Sequence, residues 1–145
     1  MNLLIVDDEY LVVEEVVTVT DWELLGITEI YSATNAVSAV RILNEKKIDI
    51  MICDIEMPQT DGLELSKKAK ENFPDLEIVM LTSHAEFNYV RNALRYGCYD
   101  YLLKPVMEDD IIKVMKNLVT KIERERHQAV SYTHLRAHET RRHLV

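Results

Sequence analysis

Glycine is scarce in this chain of 145 residues, at three in all, and no glycine-rich phosphate loop follows the first apolar run. A nucleotide-binding loop of that kind is therefore absent. Cysteine is rarer still: Cys53 and Cys98 each sit among apolar neighbours, without metal-ligand spacing to one another or to a histidine. They read as buried thiols in a reducing compartment. Basic charge is also short, 17 Lys and Arg against 25 Asp and Glu for a net charge of -8. Phosphate backbones need a basic face, so direct nucleic-acid contact by this chain is disfavoured. No apolar run approaches membrane-spanning length and no charged-then-apolar leader opens the chain, so the expectation is a cytoplasmic protein with no membrane contact.

What is present is enough for one real core, because 48% of the residues are hydrophobic. Short apolar runs rich in branched residues read as buried parallel strands at Leu3 to Val6, Glu29 to Ala33, Ile48 to Cys53, Glu77 to Leu81 and Tyr99 to Leu103. Segments of helical period separate them. Ala36, Ala39, Val40 and Leu43 follow Asn35, a suitable N-cap, and Phe87, Val90 and Leu94 make a second apolar stripe. The first helix carries Val12, Val13, Val16, Val17 and Val19, which favour strand individually; their spacing and the need for a crossover outweigh that propensity. The glycines fall at turns: Gly26 before the second strand, Gly62 after Asp61 at the start of the third helix, and Gly97 closing the fourth. Trp22 is expected to anchor a connecting loop. A last helix begins near Glu108 with the stripe Ile111, Met115, Leu118 and Ile122; beyond Leu118 it turns mostly charged and reads as a solvated helix leaving the domain.

Four ionisable positions stand at the carboxyl ends of these runs. Asp7 and Asp8 follow the first strand, Asp54 the third and Lys104 the fifth. In open α/β sheets that edge is where sites are built. Converging carboxylates repel unless a cation neutralises them, and Mg²⁺ seeks such oxygen ligands, so a metal-assisted phosphoryl site is the natural suspicion.

The segment from Val130 to Thr140 fits none of this and reads as a translated transposase adapter from sequencing-library preparation, which implies a gene cut short. Three of the five histidines, His134, His138 and His143, lie from Val130 onward. Residues 127–145 are accordingly treated as a tail, non-native from about 130, and 1–126 as the domain.

The motifs Val6-Asp7-Asp8-Glu9, Asp54-Ile55-Glu56-Met57-Pro58 with Asp61-Gly62, Leu81-Thr82-Ser83 and Tyr101-Leu102-Leu103-Lys104-Pro105 occur in order, each at a predicted strand end. Together they resemble the receiver domain of a bacterial two-component response regulator. Asp21-Trp22, Glu86-Phe87-Asn88-Tyr89 and Asp100-Tyr101 resemble in particular receivers joined to AraC-type helix-turn-helix output domains.

The resemblance implies a flavodoxin-like (βα)5 fold, a doubly wound five-stranded parallel sheet of order 2-1-3-4-5. It implies Asp54 as phosphoacceptor from a histidine kinase, with Mg²⁺ held by Asp7, Asp8, Asp54 and the backbone carbonyl of Glu56. Lys104 and Thr82 would serve the phosphoryl group, Thr82 and Tyr101 would form the switch, and the bond to Pro105 would be cis. The output would be the face of the fourth helix, fifth strand and fifth helix, available for a phosphorylation-dependent homodimer and controlling an output domain. No separate substrate would be turned over, so the chain is not an enzyme in that sense.

Plainer readings stand beside these. Asp8 alone could cap the first helix, Asp54 alone could be a turn residue, Thr82 an ordinary strand residue and Lys104 a solvated edge charge. Tyr89 and Tyr96 are either half-buried surface aromatics or contacts on the signalling face. Ala36 stands where such receivers often have glycine, and the Glu56 side chain could alter the lifetime of an acyl phosphate. The alternatives in function are a stand-alone phosphorelay receiver and a flavodoxin-like phosphatase. The phosphatase class needs an Asp-x-Asp arrangement, whereas here the acids are adjacent.

Overall fold

Alternate residues of the first strand are buried in two different cores, and that alternation sets the architecture. The structure, a computed structural model, describes residues 1–57, 62–83 and 87–144, with side chains for all of these except 87–90 and 130–144. The elements run β1 (Asn2–Val6), α1 (Tyr10–Thr18), a short 3-10 turn (Trp22–Leu25), β2 (Glu29–Ala33), α2 (Ala36–Glu45), β3 (Ile50–Asp54), α3 (Gly62–Asn72), β4 (Glu77–Thr82), α4 (Phe87–Arg95), β5 (Asp100–Leu103) and α5 (Glu108–Leu144). The five strands form one parallel sheet of order β2-β1-β3-β4-β5, the expected topology.

Side chains two apart share a sheet face. Leu3, Ile5, Ile50, Ile52, Val79 and Leu81 therefore pack on one side with Val13 and Val16 of α1 and Ile111, Met115 and Leu118 of α5. Leu4, Val6, Met51, Cys53, Ile78 and Met80 face the other side, against Ala39, Leu43, Leu63, Ala69 and Ala93. Each fully buried leucine or isoleucine contributes about 2 kcal/mol, enough to override the strand propensity of the α1 valines.

Local signals behave as their chemistry requires. Asn35 caps α2 by accepting from the Ser38 amide at 2.8 Å. Trp22 is buried and donates its indole N–H to the Val16 carbonyl at 3.0 Å, tying the connecting loop to α1. Gly26 has φ +92°, closing the 3-10 turn in a conformation that side chains rarely adopt.

Several expectations shift. The third strand runs Ile50–Asp54 rather than Ile48 to Cys53, because Asp54 stays in register with Leu81 and the Ile55 amide still bonds the Leu81 carbonyl at 2.9 Å. Val40 is exposed, since α2 turns Ala39 and Leu43 inward. Leu94, the one residue of the expected α4 stripe with a described side chain, is 47% exposed, while its neighbour Ala93 is buried. The Phe87, Tyr89 and Val90 side chains, and Pro58, Asp61 and Glu86, lie outside the described residues. Asp8 is not the cap of α1: Glu9 holds that place, with no side-chain cap bond. Helical backbone continues in α5 to Leu144.

Gly62 at the start of α3 lies so close to β3 that a Cβ there would sit 1.8 Å from the Asp54 carbonyl oxygen. Backbone cannot give way as a flexible side chain can. Gly62→Ala is expected to destabilise the protein by at least about 1–3 kcal/mol, the usual scale of overpacking; urea unfolding checks it, and an unchanged midpoint would refute the close approach.

Candidate functional site

Parallel register brings the ends of β1, β3, β4 and β5 to one edge, and chain geometry places the charged residues there. Asp7 follows β1, with its amide bonded to the Ala33 carbonyl at 3.1 Å. Asp54 ends β3, Thr82 ends β4, and Lys104 follows β5 with its amide on the Thr82 carbonyl at 2.8 Å. Asp7, Asp54 and Thr82 are buried, whereas Asp8 is exposed.

One cation joins two of the acids. Lys104 Nζ lies 2.8 Å from Asp7 Oδ2 and 3.3 Å from Asp54 Oδ1. Backbone amides hold both carboxylates in place: Glu9 N–H donates to Asp7 Oδ1 at 2.9 Å, and Glu56 N–H to Asp54 Oδ1 at 3.2 Å. Burial, then the charge of Asp7, pushes Asp54 up from its ordinary 3.8 to about 6, against the opposing pull of Lys104 and the Glu56 amide. Burial works to lower Lys104, but contact with Asp7 and the charges of Asp54 and Asp7 outweigh it and hold the ammonium above its ordinary value. Lys104 is thus a fixed positive charge at neutral pH.

The donor set suits a hard divalent cation. Carboxylate oxygens of Asp7, Asp8 and Asp54 all lie within 4.8 Å of one another. Asp7 Oδ2, although near Lys104, is buried without a properly directed hydrogen bond. Among the described residues three acids stand against one lysine, which leaves negative charge uncompensated, and oxygen ligands in this number fit Mg²⁺.

Of the remaining residues singled out in the sequence, the Lys104–Pro105 peptide bond is cis. Glu56 is exposed, and Tyr101 points outward at 37% exposure. Tyr96 is 44% exposed, with Lys67 Nζ 5.1 Å from its ring centroid. Burial raises both thiols, Cys98 to about 11 and Cys53 further, so neither is a nucleophile here. Sequence reasoning missed the anchoring amides of Glu9 and Glu56, which leave no side-chain signature. It also missed the way Gly62 supports the Asp54 backbone, for which the Asp61-Gly62 pair was the available clue.

Comparison with known proteins agrees with this fold. A family model described as the response regulator receiver domain matches residues 3–116. The transcriptional regulatory protein YesN of Bacillus subtilis is 34% identical over 124 residues, covering 86% of this chain. The alignment takes in only 34% of YesN, so the chain spans about a third of that relative's length. Among solved structures, the REC domain of AraT, a response regulator from Geobacillus stearothermophilus, matches with TM-score 0.80 at 30% identity, covering 86% of this chain and 97% of that one. A two-component transcriptional regulator AraC from Clostridium phytofermentans shares the fold, with TM-score 0.80 at 23% identity over 87% of this chain and 98% of that one.

The raised Asp54 pKa sets a sign for stability. Because Asp54 holds its proton more tightly when folded (about 6) than at its ordinary 3.8, the stability this gives is full below about pH 4 and lost as pH rises through about 6. Without metal, Asp54→Asn is expected to be more stable than the parent at pH 7 by about 1–3 kcal/mol. The gain should shrink towards pH 4 and also on adding Mg²⁺. Urea unfolding at the two pH values checks this, and a variant no more stable than the parent at pH 7 would contradict the crowded-carboxylate geometry.

Proposed function

Since the chain belongs to the response regulator receiver domain family, we propose that it accepts a phosphoryl group from a sensor histidine kinase on Asp54 and transmits that state through the surface of α4, β5 and α5. The observation that carries this reading is the Lys104 ammonium bridging Asp7 and Asp54 beside the end of β4. Receivers are signalling domains, and no turnover of a separate substrate is invoked.

An Asp54 oxygen attacks phosphorus in line, the new P–O bond forms as the P–N bond of the phosphohistidine breaks, and the departing imidazole takes up a proton. Asp7, Asp8, Asp54 and the Glu56 carbonyl would hold Mg²⁺, which when bound offsets charge on the transferring phosphoryl oxygens. Lys104 supplies fixed positive charge to one of those oxygens without reorganising. The Thr82 hydroxyl donates to another. In doing so Thr82 moves towards Asp54, and Tyr101, now outward, swings into the space behind it. A group of roughly two negative charges is enough to bias such a two-state element.

The surface that changes carries exposed apolar side chains, Leu94, Tyr96, Tyr101, Leu103 and Met107, suited to burial against a second copy. Residues 1–126 act as the signalling unit and 127–145 as a tail. The match takes in a third of the transcriptional regulatory protein YesN; with the motifs that resemble receivers joined to AraC-type domains, this supports reading the unit as one that controls a DNA-binding output domain of that type.

Incubation with Mg²⁺ and a small acyl-phosphate donor should give one phosphoryl adduct by intact mass, absent in Asp54→Asn or after chelation; an adduct that persists in Asp54→Asn would refute the assignment. Lys104→Met should slow uptake by about 100-fold or more, the scale of losing one preorganised charge. Tyr96→Ala should weaken dimerisation of the phosphorylated form, and sedimentation identical to the parent would count against the proposed face.

A further inference from the structure

Two more acids are buried at the opposite, amino-terminal edge of the sheet, and both engage α5. Asp49, just before β3, is 8% exposed; Glu77, the first residue of β4, is 6% exposed. Asp49 accepts the Asn2 amide on Oδ2 at 2.7 Å and pairs through Oδ1 with the Arg126 guanidinium. Glu77 Oε1 lies 2.7 Å from Lys121 Nζ and 4.0 Å from Lys70 Nζ of α3. Lys121 also reaches Glu125 at 3.2 Å, and its pKa is raised, the bond to Glu77 being the first cause. The charged stretch after Leu118 is therefore not simply a solvated helix.

Ion pairs matter here because apolar packing gives out. Ile122 is the last buried apolar residue of α5 among those described. Beside it opens a groove of about 880 Å³, lined in part by Ile48, Phe73, Pro74, Ile122 and Arg126. Exposed ion pairs contribute little, but a buried acid that loses its cation is strongly disfavoured, so each acid holds its partner firmly.

We propose that Asp49 and Glu77 form an electrostatic latch that fixes α5 beyond Ile122, clamping it at Lys121 and Arg126 so that it leaves the sheet as one stiff element in a single rotational setting. Arg126 and Lys121 lie five residues apart, more than a helical turn, so the two clamps together resist both fraying and rotation. The latch stands independently of phosphoryl uptake.

Hydrogen exchange on the whole chain tests it. Arg126→Met and Lys121→Met should each raise amide exchange across residues 123–129 by about tenfold, as expected for local opening, with residues 111–118 unchanged. Lys113→Met, which removes an exposed charge from the same helix, should leave both regions alone. Phosphoryl uptake at Asp54 should be unaffected in all three, so failure here is separable from failure of the site assignment. A rise below about threefold in either latch variant, or one shared equally by residues 111–118, would overturn the latch.

Discussion

The contact of one lysine with two buried carboxylates is the constraint on which this structure turns. Asp7 and Asp54 arrive at the same edge because β1 and β3 are neighbours in register, and among the described residues Lys104 is the cation paired with both. Burial first, and the charge of Asp7 second, hold the Asp54 pKa at about 6. The arrangement is tolerable because backbone amides fix Asp7 and Asp54 and because the buried apolar residues of β1 and β3 behind them supply stability. Gly62 belongs to the same constraint, since it lets α3 start directly on the Asp54 backbone.

Much of this was readable in the residues. Five apolar runs at regular separation, each bounded by helical period, determine a parallel sheet almost by themselves, and a crossover helix leaves charges that end strands on one edge. Motif order then points to the family. Less readable were distinctions that depend on rotation about an axis. Adjacent Asp7 and Asp8 look equivalent in sequence, yet Asp7, its amide still bonded to Ala33 beside β1, is buried, and Asp8, one step further out, is exposed. Leu94 and Ala93 differ by one step of 100° on a helix, and sequence favours the larger apolar residue where packing chose the smaller.

The charged end of α5 was misread for a related reason. Lys121 and Arg126 look solvated because most such residues are, and their partners lie 44 and 77 positions away. Only the sheet order brings Glu77 and Asp49 beneath the helix. A single buried acid at the start of a strand carries no periodic signature, so no local pattern could have exposed the pairing.

The two edges of the sheet then differ in one physical respect. At the amino-terminal edge, Asp49 and Glu77 meet Arg126, Lys121 and Lys70, so charge is balanced within the chain and the geometry has no reason to respond to added ions. At the carboxyl edge Asp7, Asp8 and Asp54 converge while, among the described residues, one lysine pairs with Asp7 and Asp54, an imbalance that a bound cation or protonation relieves. β3 and β4 connect the two directly: Asp49 and Asp54 bracket one, Glu77 and Thr82 the other. On the proposed function, a sheet fixed at its balanced end and unsatisfied at the other would confine a response to the unsatisfied end, with α5, packed along one face and paired at the far edge, as its firm base.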